Sequence, residues 1–334
     1  MEPMYAFHVF STKPIIEGRH ISALETKFDI NSYFISNNLD FPDYSILLAL
    51  LLALKWKQLN GRIKLYTDSL AASIFHELGI LSIWNDYDTE VLDKINWTSI
   101  NPTLFWPAVK FFAYLNEKSP CVYIDLDLII WKNIHEICHK KDVLFTHQES
   151  VKDSYWYCQK EYLRRPEGYE FKKEWSWEIP AANTSLIYFG DSSFKDYYSQ
   201  EALRYITNNS VDILATKSET PESLFAEQRL LTMCAKEMSL KALPFIDATW
   251  SPIRSRFIKH DKKLGVWNFH KIENQPLITH AWFYKRLLES NVTAHDMYCR
   301  SLVKIILDEF PDIIKSLKNA KFIEKYTCNL QLTK

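Results

Sequence analysis

Two aspartates separated by one residue, Asp125 and Asp127, are the feature of this sequence that most directly indicates chemistry. They follow the apolar segment 121–124 and precede the apolar segment 128–131, which predicts a position at the end of a buried strand. Two adjacent carboxylates are costly to keep ionised unless a cation lies nearby. Carboxylate oxygens suit Mg²⁺ or Mn²⁺, and phosphate oxygens commonly complete the shell of ligands. The pair therefore predicts a divalent-metal site.

The elements that must position this pair alternate between strand and helix in the first half of the chain. Strands are expected at 5–10, 63–66 and 121–124, and helices at 43–59, 70–78 and 104–115. This order, with strands that are apolar throughout, is typical of an α/β fold whose parallel sheet is flanked by helices. Ligands of such sheets bind beyond the carboxyl ends of the strands. Besides the aspartate pair, that edge collects three candidates for substrate binding: Ser11, Thr67 and Asp68.

The second half of the chain is less regular. A strand is expected at 185–189, a helix at 221–238, a short strand at 278–280, and a helix at 294–317 that is broken at Pro311. Segments 148–180 and 245–276 are polar and aromatic without a clear period. No linker is visible, so a single domain over 1–334 is expected. Its three parts would be a nucleotide-binding half at 1–147, a donor and acceptor half at 148–290, and a helical end at 291–334.

The composition excludes several classes of protein. The 40 basic and 41 acidic residues leave a net charge of −1, so no general field attracts a nucleic acid. With 47% hydrophobic residues the chain is not disordered. No two of its six glycines are close enough for a dinucleotide-binding turn or a P-loop. A bound nucleotide would therefore need another group, such as a metal ion, to hold its phosphates.

The cysteines and the apolar segments of the sequence indicate the cellular compartment to expect for the protein. The six cysteines are dispersed and form no C-x-x-C, which favours reduced thiols. The acidic N-terminus does not resemble a signal peptide. The most apolar run, 46–54, is much shorter than the roughly 20 residues that span a bilayer, so a buried helix is expected there. We therefore expect no transmembrane segment and a cytoplasmic protein, either free or peripheral to a membrane.

Several blocks together resemble the GT-A glycosyltransferases, in particular the family-8-like and family-32-like enzymes with a sugar-binding-region DXD motif. Segments 105–110 and 122–127 look like the helix and the DXD strand of those families. Segment 65–68 resembles their second strand. Segment 182–189 is similar to their strand with Asn-x-Gly, although Ser185 stands where glycine is usual. Segments 226–228 and 279–280 are similar to their Asp-Gln pair and late histidine.

The resemblance implies a Rossmann-related, GT-A-like fold and a metal-dependent, retaining transfer. A sugar would move from a nucleoside diphosphate sugar, most expectedly a UDP-sugar, to a glycan or another hydroxyl acceptor, as in polysaccharide biosynthesis. It also implies roles for individual residues. Asp125, Asp127 and His280 would bind Mn²⁺ or Mg²⁺; Lys110 and Lys285 would approach the phosphates; and Asn183, Glu227 and Gln228 would bind the sugar near its anomeric carbon. Trp175, Trp177 and Trp250 are candidates for stacking on sugars.

Other interpretations stay open at this point. In a phosphohydrolase of the HAD type, Asp125 would be the nucleophile, and Asp191 and Asp196 would form the later acidic motif. Ile129 does not fit that motif, and two strands precede the DXD strand. An inactive sugar-binding protein on the same fold is a further alternative. His135, Cys138 and neighbouring histidines do not have the spacing of a zinc site.

Overall fold

The central element of the computed structural model is a seven-stranded sheet. The structure describes residues 4–16, 42–152, 156–209, 220–250, 276–316 and 321–327. The sheet has the order β10-β6-β9-β4-β1-β2-β3. The strands of the protein are β1 Met4–Phe10, β2 Gly61–Thr67, β3 Asp86–Asp88, β4 Cys121–Ile124, β5 Leu128–Ile130, β6 Val143–Phe145, β7 Gln148–Glu149, β8 Ala181–Ala182, β9 Leu186–Phe189, β10 Ala242–Pro244, β11 Thr249–Trp250 and β12 Ile278–His280.

Most neighbouring strands of this sheet are parallel. β1 pairs in parallel with β2 and β4, β2 with β3, and β6 with β10. β9 is the exception, because it runs antiparallel to both β4 and β6. The predicted fold class, a mostly parallel sheet flanked by helices, is confirmed. The aspartate pair follows β4, in the middle of the sheet.

Helices cover both faces of the sheet. Alternate residues of a strand point to opposite faces, so Ala6 of β1 joins one hydrophobic core and Phe7 joins the other. The α-helices are α1 Lys13–Ile16, α2 Asp43–Leu59, α3 Ser69–Glu77, α4 Glu90–Asp93, α5 Ala108–Asn116, α6 His135–Cys138, α7 Ser192–Ile206, α8 Thr220–Leu224, α9 Leu230–Glu237, α10 Lys285–Ser290, α11 Val292–Glu309, α12 Pro311–Ser316 and α13 Lys321–Thr327.

The two cores are built from different helices. The first contains nearly all of α2 together with the inner face of α11, and the second contains the inner faces of α5, α7 and α9. The predicted buried helix at 46–54 is therefore confirmed, since every residue of that run is buried in α2. Within the part of the chain that the structure describes, no helix has both the length and the apolarity needed to span a bilayer.

Two small sheets lie beside the central one. β12 pairs antiparallel with β5, which places His280 opposite Leu128, the residue after Asp127. β7 pairs with β8 and with β11. The short strand expected at 278–280 is therefore confirmed, and its pairing brings a distant segment to the aspartate pair.

Helix boundaries differ modestly from expectation. α5 begins at Ala108 rather than at residue 104, because Pro107 precedes it as the N-cap. α11 ends at Glu309, just before Pro311, as the proline predicted. α7 was not expected from the sequence. Of the expected aromatic region at 245–276, residues 251–275 lie outside the described residues.

Candidate metal centre

The backbone around Asp125 and Asp127 is held by hydrogen bonds from three segments. The Asp125 amide donates to the carbonyl of Ser185 at 2.7 Å, next to β9. The Leu128 amide donates to the Asp125 carbonyl at 3.2 Å, which closes a turn around the pair. The Ala281 amide donates to the Asp127 carbonyl at 2.7 Å. The turn leaves both carboxylates at the carboxyl end of β4, where the sheet architecture predicts a ligand site.

His280 completes a group of three potential metal ligands. One donor atom each from Asp125, Asp127 and His280 lie within 4.8 Å of one another. The His280 Nε2 atom is 3.4 Å from Asp127 Oδ1 and 3.3 Å from the Ser185 hydroxyl. Two carboxylates and one imidazole form a donor set that suits Mn²⁺, and oxygen donors also suit Mg²⁺. The predicted ligand set is thus brought together by the fold.

Lys285 supplies positive charge at the same place. Its Nζ atom lies 2.7 Å from Asp127 Oδ2, at the start of α10. Burial by itself raises the pKa of Asp127, but Lys285 and His280 outweigh it and hold that pKa well below its usual value. Asp127 is therefore an anion in this setting. A carboxylate that stays ionised is the form that binds a cation.

Lys110 forms a buried bridge between two acids. Its Nζ atom lies 2.8 Å from Asp125 Oδ1 and 2.5 Å from Glu227 Oε1, and only 4% of the residue is exposed. Burial lowers the pKa of Lys110, but the two carboxylates raise it above its usual value. Burial also raises the pKa of Glu227, against the opposing effect of Lys110. Lys110 is therefore not a solvated helix charge, and it ties Asp125 to Glu227.

Glu227 and Gln228 lie in a π-helical segment, Phe225–Arg229, between α8 and α9. π-Helical turns occur often at functional sites. The Glu227 carboxylate is buried against Lys110, whereas the Gln228 side chain accepts a hydrogen bond from the Tyr157 hydroxyl. The two neighbouring side chains therefore have different partners, Lys110 and Tyr157.

Asn183 links the DXD region to the small sheet of β7 and β8. Its side-chain oxygen accepts from the Ser185 amide at 3.3 Å, and its side-chain nitrogen donates to Glu149 at 3.1 Å. Ser185, which stands where the families that the sequence resembles have glycine, contacts His280 through its hydroxyl. Its side chain thus lies against the candidate ligand set. Sequence reasoning missed Glu149.

Two of the three candidates at the ends of β1 and β2, Ser11 and Asp68, have structural partners. Asp68 caps α3 by accepting from the Ala71 amide at 2.9 Å, and it also accepts from the Thr12 amide at 2.5 Å. The Ser11 hydroxyl accepts from the Lys13 amide at 3.2 Å. Thr67 is fully buried, and its hydroxyl has no hydrogen-bond partner among the described residues. All three lie at the expected edge of the sheet, where the side chains of Ser11 and Asp68 organise the loops.

The tryptophans predicted to stack on sugars fall into two groups. Trp175 and Trp177 pack against Phe225 in the second core, so they support the π-helical segment. Trp250 instead stacks on Trp156, with ring centroids 5.6 Å apart and planes 7° apart. Trp282, two residues after His280, meets both of these rings edge-on. Trp156 and Trp282 were not singled out from the sequence, although Trp282 adjoins the histidine motif.

The structure does not assemble the alternative motifs. Phe189 of β9 pairs with Cys121 at the start of β4, so Asp191 lies at the opposite edge of the sheet from Asp125. There Asp191 caps α7 by accepting from the Phe194 amide at 2.7 Å. His135 Nε2 lies 3.0 Å from the Asn60 carbonyl. Among the described residues, neither His135 nor Cys138 belongs to a group of three metal-ligating side chains.

Comparisons with known proteins place the chain in a family without an assigned function. A family model with the description "Family of unknown function (DUF6734)" matches residues 31–320, so the chain belongs to that family. No curated protein sequence matches the chain significantly.

The solved structures to which the chain is similar include three whose names are those of transferases. Mouse xyloside xylosyltransferase 1 in its apo form has 12% identity and a TM-score of 0.37, over 77% of this chain and 91% of that one. A putative glucose-1-phosphate thymidylyltransferase from Bacillus anthracis in complex with a sucrose has 16% identity and a TM-score of 0.32, over 74% and 87%. The galactosyltransferase LgtC, in complex with donor and acceptor sugar analogs, has 10% identity and a TM-score of 0.36, over 89% and 96%.

Proposed function

We propose that this member of a family of unknown function is a metal-dependent glycosyltransferase that moves a sugar from a nucleoside diphosphate sugar to a hydroxyl acceptor. One observation carries the proposal. Asp125, Asp127 and His280, which the DXD resemblance implies as a ligand set, come from segments more than 150 residues apart and present their donor atoms within 4.8 Å of one another. A UDP-sugar is the favoured donor, and the resemblance implies retention of configuration and a role in polysaccharide biosynthesis.

In this proposal the three residues hold Mn²⁺ or Mg²⁺, which when bound supplies positive charge to a leaving diphosphate. Lys285 adds positive charge beside Asp127. It can turn from the carboxylate to a phosphate oxygen because its side chain is 36% exposed. Such charge, placed before the bond breaks, stabilises the transition state.

Lys110 has a different part. Its ion pair with Asp125 holds that carboxylate in place, and its ion pair with Glu227 compensates the charge of that buried acid. Glu227, Gln228 and Asn183 line the side on which we place the transferred sugar. Ser11 and Asp68 organise the loops at the sheet edge on which we place the nucleotide, and Thr67 lies at the same edge. The unpaired thiols of the described cysteines support a reducing, cytoplasmic compartment.

The test is a titration of the purified chain with Mn²⁺ and UDP, followed by a UDP-release assay over a panel of UDP-sugars. We expect UDP binding to require the metal, and at least one donor to be slowly hydrolysed. Asp127→Asn should lose metal-dependent binding and turnover. Asp308→Asn, which removes an exposed carboxylate of α11, is the matched control and should behave like the wild type.

Other outcomes would replace the proposal. Unchanged turnover in Asp127→Asn would contradict the metal assignment. Hydrolysis of p-nitrophenyl phosphate that is lost in Asp125→Asn would identify a phosphohydrolase. Glycan binding that needs no metal, without release of UDP from any donor, would identify a sugar-binding protein on this fold.

A further inference from the structure

Two buried polar atoms without hydrogen-bond partners belong to a pair of residues on the neighbouring strands β7 and β11. Glu149 is 6% exposed, and its Oε1 atom lies 3.1 Å from both Asn183 Nδ2 and His147 Nε2. Its second oxygen, Oε2, is buried and has no hydrogen-bond partner among the described residues. The indole nitrogen of Trp250 is likewise buried and unpaired within the described part of the chain.

The strand register makes these two groups neighbours. Glu149 pairs with Trp250 in parallel, and paired strands lie about 4.8 Å apart. Two residues that carry an acceptor and a donor without partners in the described part of the chain thus occupy adjacent positions. Leaving buried polar groups unpaired is costly. A hydroxyl group meets both needs at once, because it donates to the carboxylate and accepts from the indole N–H.

An aromatic surface lies beside this pair. Trp250 stacks on Trp156, and Trp282 meets both rings edge-on at centroid distances of 6.2 and 6.3 Å. Trp282 is 46% exposed, so part of its surface is open to a ligand. Indole rings combine a large apolar face with a polar edge, which suits the apolar face of a pyranose ring.

A short chain of contacts connects this surface to the candidate metal ligands. The Asn183 side chain bonds Glu149 on one side and the Ser185 amide on the other. The Ser185 hydroxyl lies 3.3 Å from His280 Nε2, and Trp282 follows His280 by two residues. The unpaired atoms and the aromatic surface therefore adjoin the place where the proposed transfer occurs.

We infer that Glu149, Trp250 and Trp282 form a subsite that binds a sugar ring through one of its hydroxyls. Glu149 Oε2 accepts from that hydroxyl, Trp250 Nε1 donates to it, and Trp282 packs against the ring. The placement of the subsite within a catalytic site rests on the proposed function, whereas its sugar chemistry does not. The sugar ring is that of the acceptor substrate or that of the sugar-nucleotide donor, because both substrates present hydroxyl groups on such a ring.

The experiment measures binding of methyl glycosides of glucose, galactose, mannose, xylose and N-acetylglucosamine to the full chain by saturation-transfer NMR and calorimetry, with and without Mn²⁺ and UDP. We expect at least one glycoside to bind. Glu149→Gln and Trp250→Phe should each weaken its binding about tenfold, the effect of losing one charge-assisted or buried hydrogen bond. Trp282→Ala tests the exposed ring without disturbing the core. Glu161→Gln is the control, because Glu161 is exposed.

The two sources of the ring give different results. If the ring belongs to the acceptor, glycoside affinity falls while the KM for hydrolysis of the UDP-sugar stays constant. If it belongs to the donor, that KM rises about tenfold as well. Absence of binding across the panel, or equal affinity in the wild type and in all three variants, would overturn the inference. Glycoside binding without any turnover of UDP-sugars would retain the subsite and reject the proposed transferase.

Discussion

Replacing Lys110 by methionine is the sharpest test of how the site is held together. Lys110 is buried between the carboxylates of Asp125 and Glu227, at 2.8 and 2.5 Å. Methionine has a similar length but no charge, so the variant leaves Glu227 buried without its cation. Glu227 is 2% exposed, so water does not replace the lost partner. The fold should therefore lose stability even before any substrate binds.

The magnitude follows from general measurements on buried ion pairs. Removing one member of such a pair costs about 3–5 kcal/mol. The unfolding entropy of a chain of 334 residues is roughly 0.7 kcal/mol/K, so the melting temperature should fall by about 4–7 °C. Lys94→Met is the matched control, because Lys94 pairs with Glu90 on an exposed helix surface. An exposed pair contributes at most about 1 kcal/mol, or ~1 °C here.

The deficit of the variant should also depend on pH. Burial raises the pKa of Glu227 above its ordinary value of 4.5, and Lys110 is the group that opposes this rise. Without Lys110 the folded state keeps the proton to a higher pH than the unfolded chain does. Stability then falls as the pH rises above the ordinary value. Differential scanning calorimetry should therefore show a smaller deficit at pH 5 than at pH 8.

A double variant separates the effect of the lost positive charge on stability from the effect of the changed side-chain volume. Lys110→Met combined with Glu227→Gln removes both charges of the pair and should recover at least half of the lost stability, because neutral replacements of buried pairs are often tolerated. The reasoning is refuted if Lys110→Met melts within 1 °C of Lys94→Met, or if adding Glu227→Gln lowers the melting temperature further.

Two other predictions concern the elements that support the site. His8 is fully buried and accepts from the Trp84 indole, and burial lowers its pKa from 6.5 to about 3. Because the unfolded chain takes up this proton and the folded one does not, stability is lost as the pH falls below 6.5, by about 1.4 kcal/mol per unit. His8→Leu should therefore reduce the decrease in melting temperature between pH 5.5 and 4.5 by about 2 °C, and an unchanged acid slope would contradict a neutral His8. Asp68→Ala removes the cap of α3 and the bond to Thr12, and should lower the melting temperature by about 1–3 °C, whereas Asp68→Asn, which keeps an acceptor, should lose less. Equal melting temperatures for Asp68→Ala and Asp68→Asn would show that the cap contributes nothing.

Local sequence patterns were sufficient to predict the strands that position the aspartate pair. The apolar runs of β1, β2 and β4 predicted parallel strands buried on both faces, and the positions of Asp125 and Asp127 at the carboxyl edge followed from that order. α7 could have been found as well, because Phe194, Tyr198 and Ala202 recur at helical spacing behind a capping aspartate. Each of these features depends on neighbours in sequence, so the sequence of one segment contains the signal.

Contacts between distant segments depended on the tertiary structure. Periodicity placed Lys110 on a helix but did not show whether water or acids surround it, because its partner Glu227 is 117 residues away. Equally, nothing in their local sequences distinguished Trp175 and Trp177, which pack in the core, from Trp250, which stacks on Trp156 beside Trp282.

By itself, then, the sequence determined the alternation of strands and helices in the first half of the chain, the carboxylate pair at the end of β4 and, through resemblance, the identity of His280 as a third candidate ligand. The pairing of β12 with β5 decided that His280 reaches that pair, and the pairing of β7 with β11 decided that Glu149 lies beside Trp250. The physical reason is the same in both cases. The residues next to a position in the sequence decide which face of its helix or strand is buried. The packing of the whole chain decides which distant residues that face is buried against.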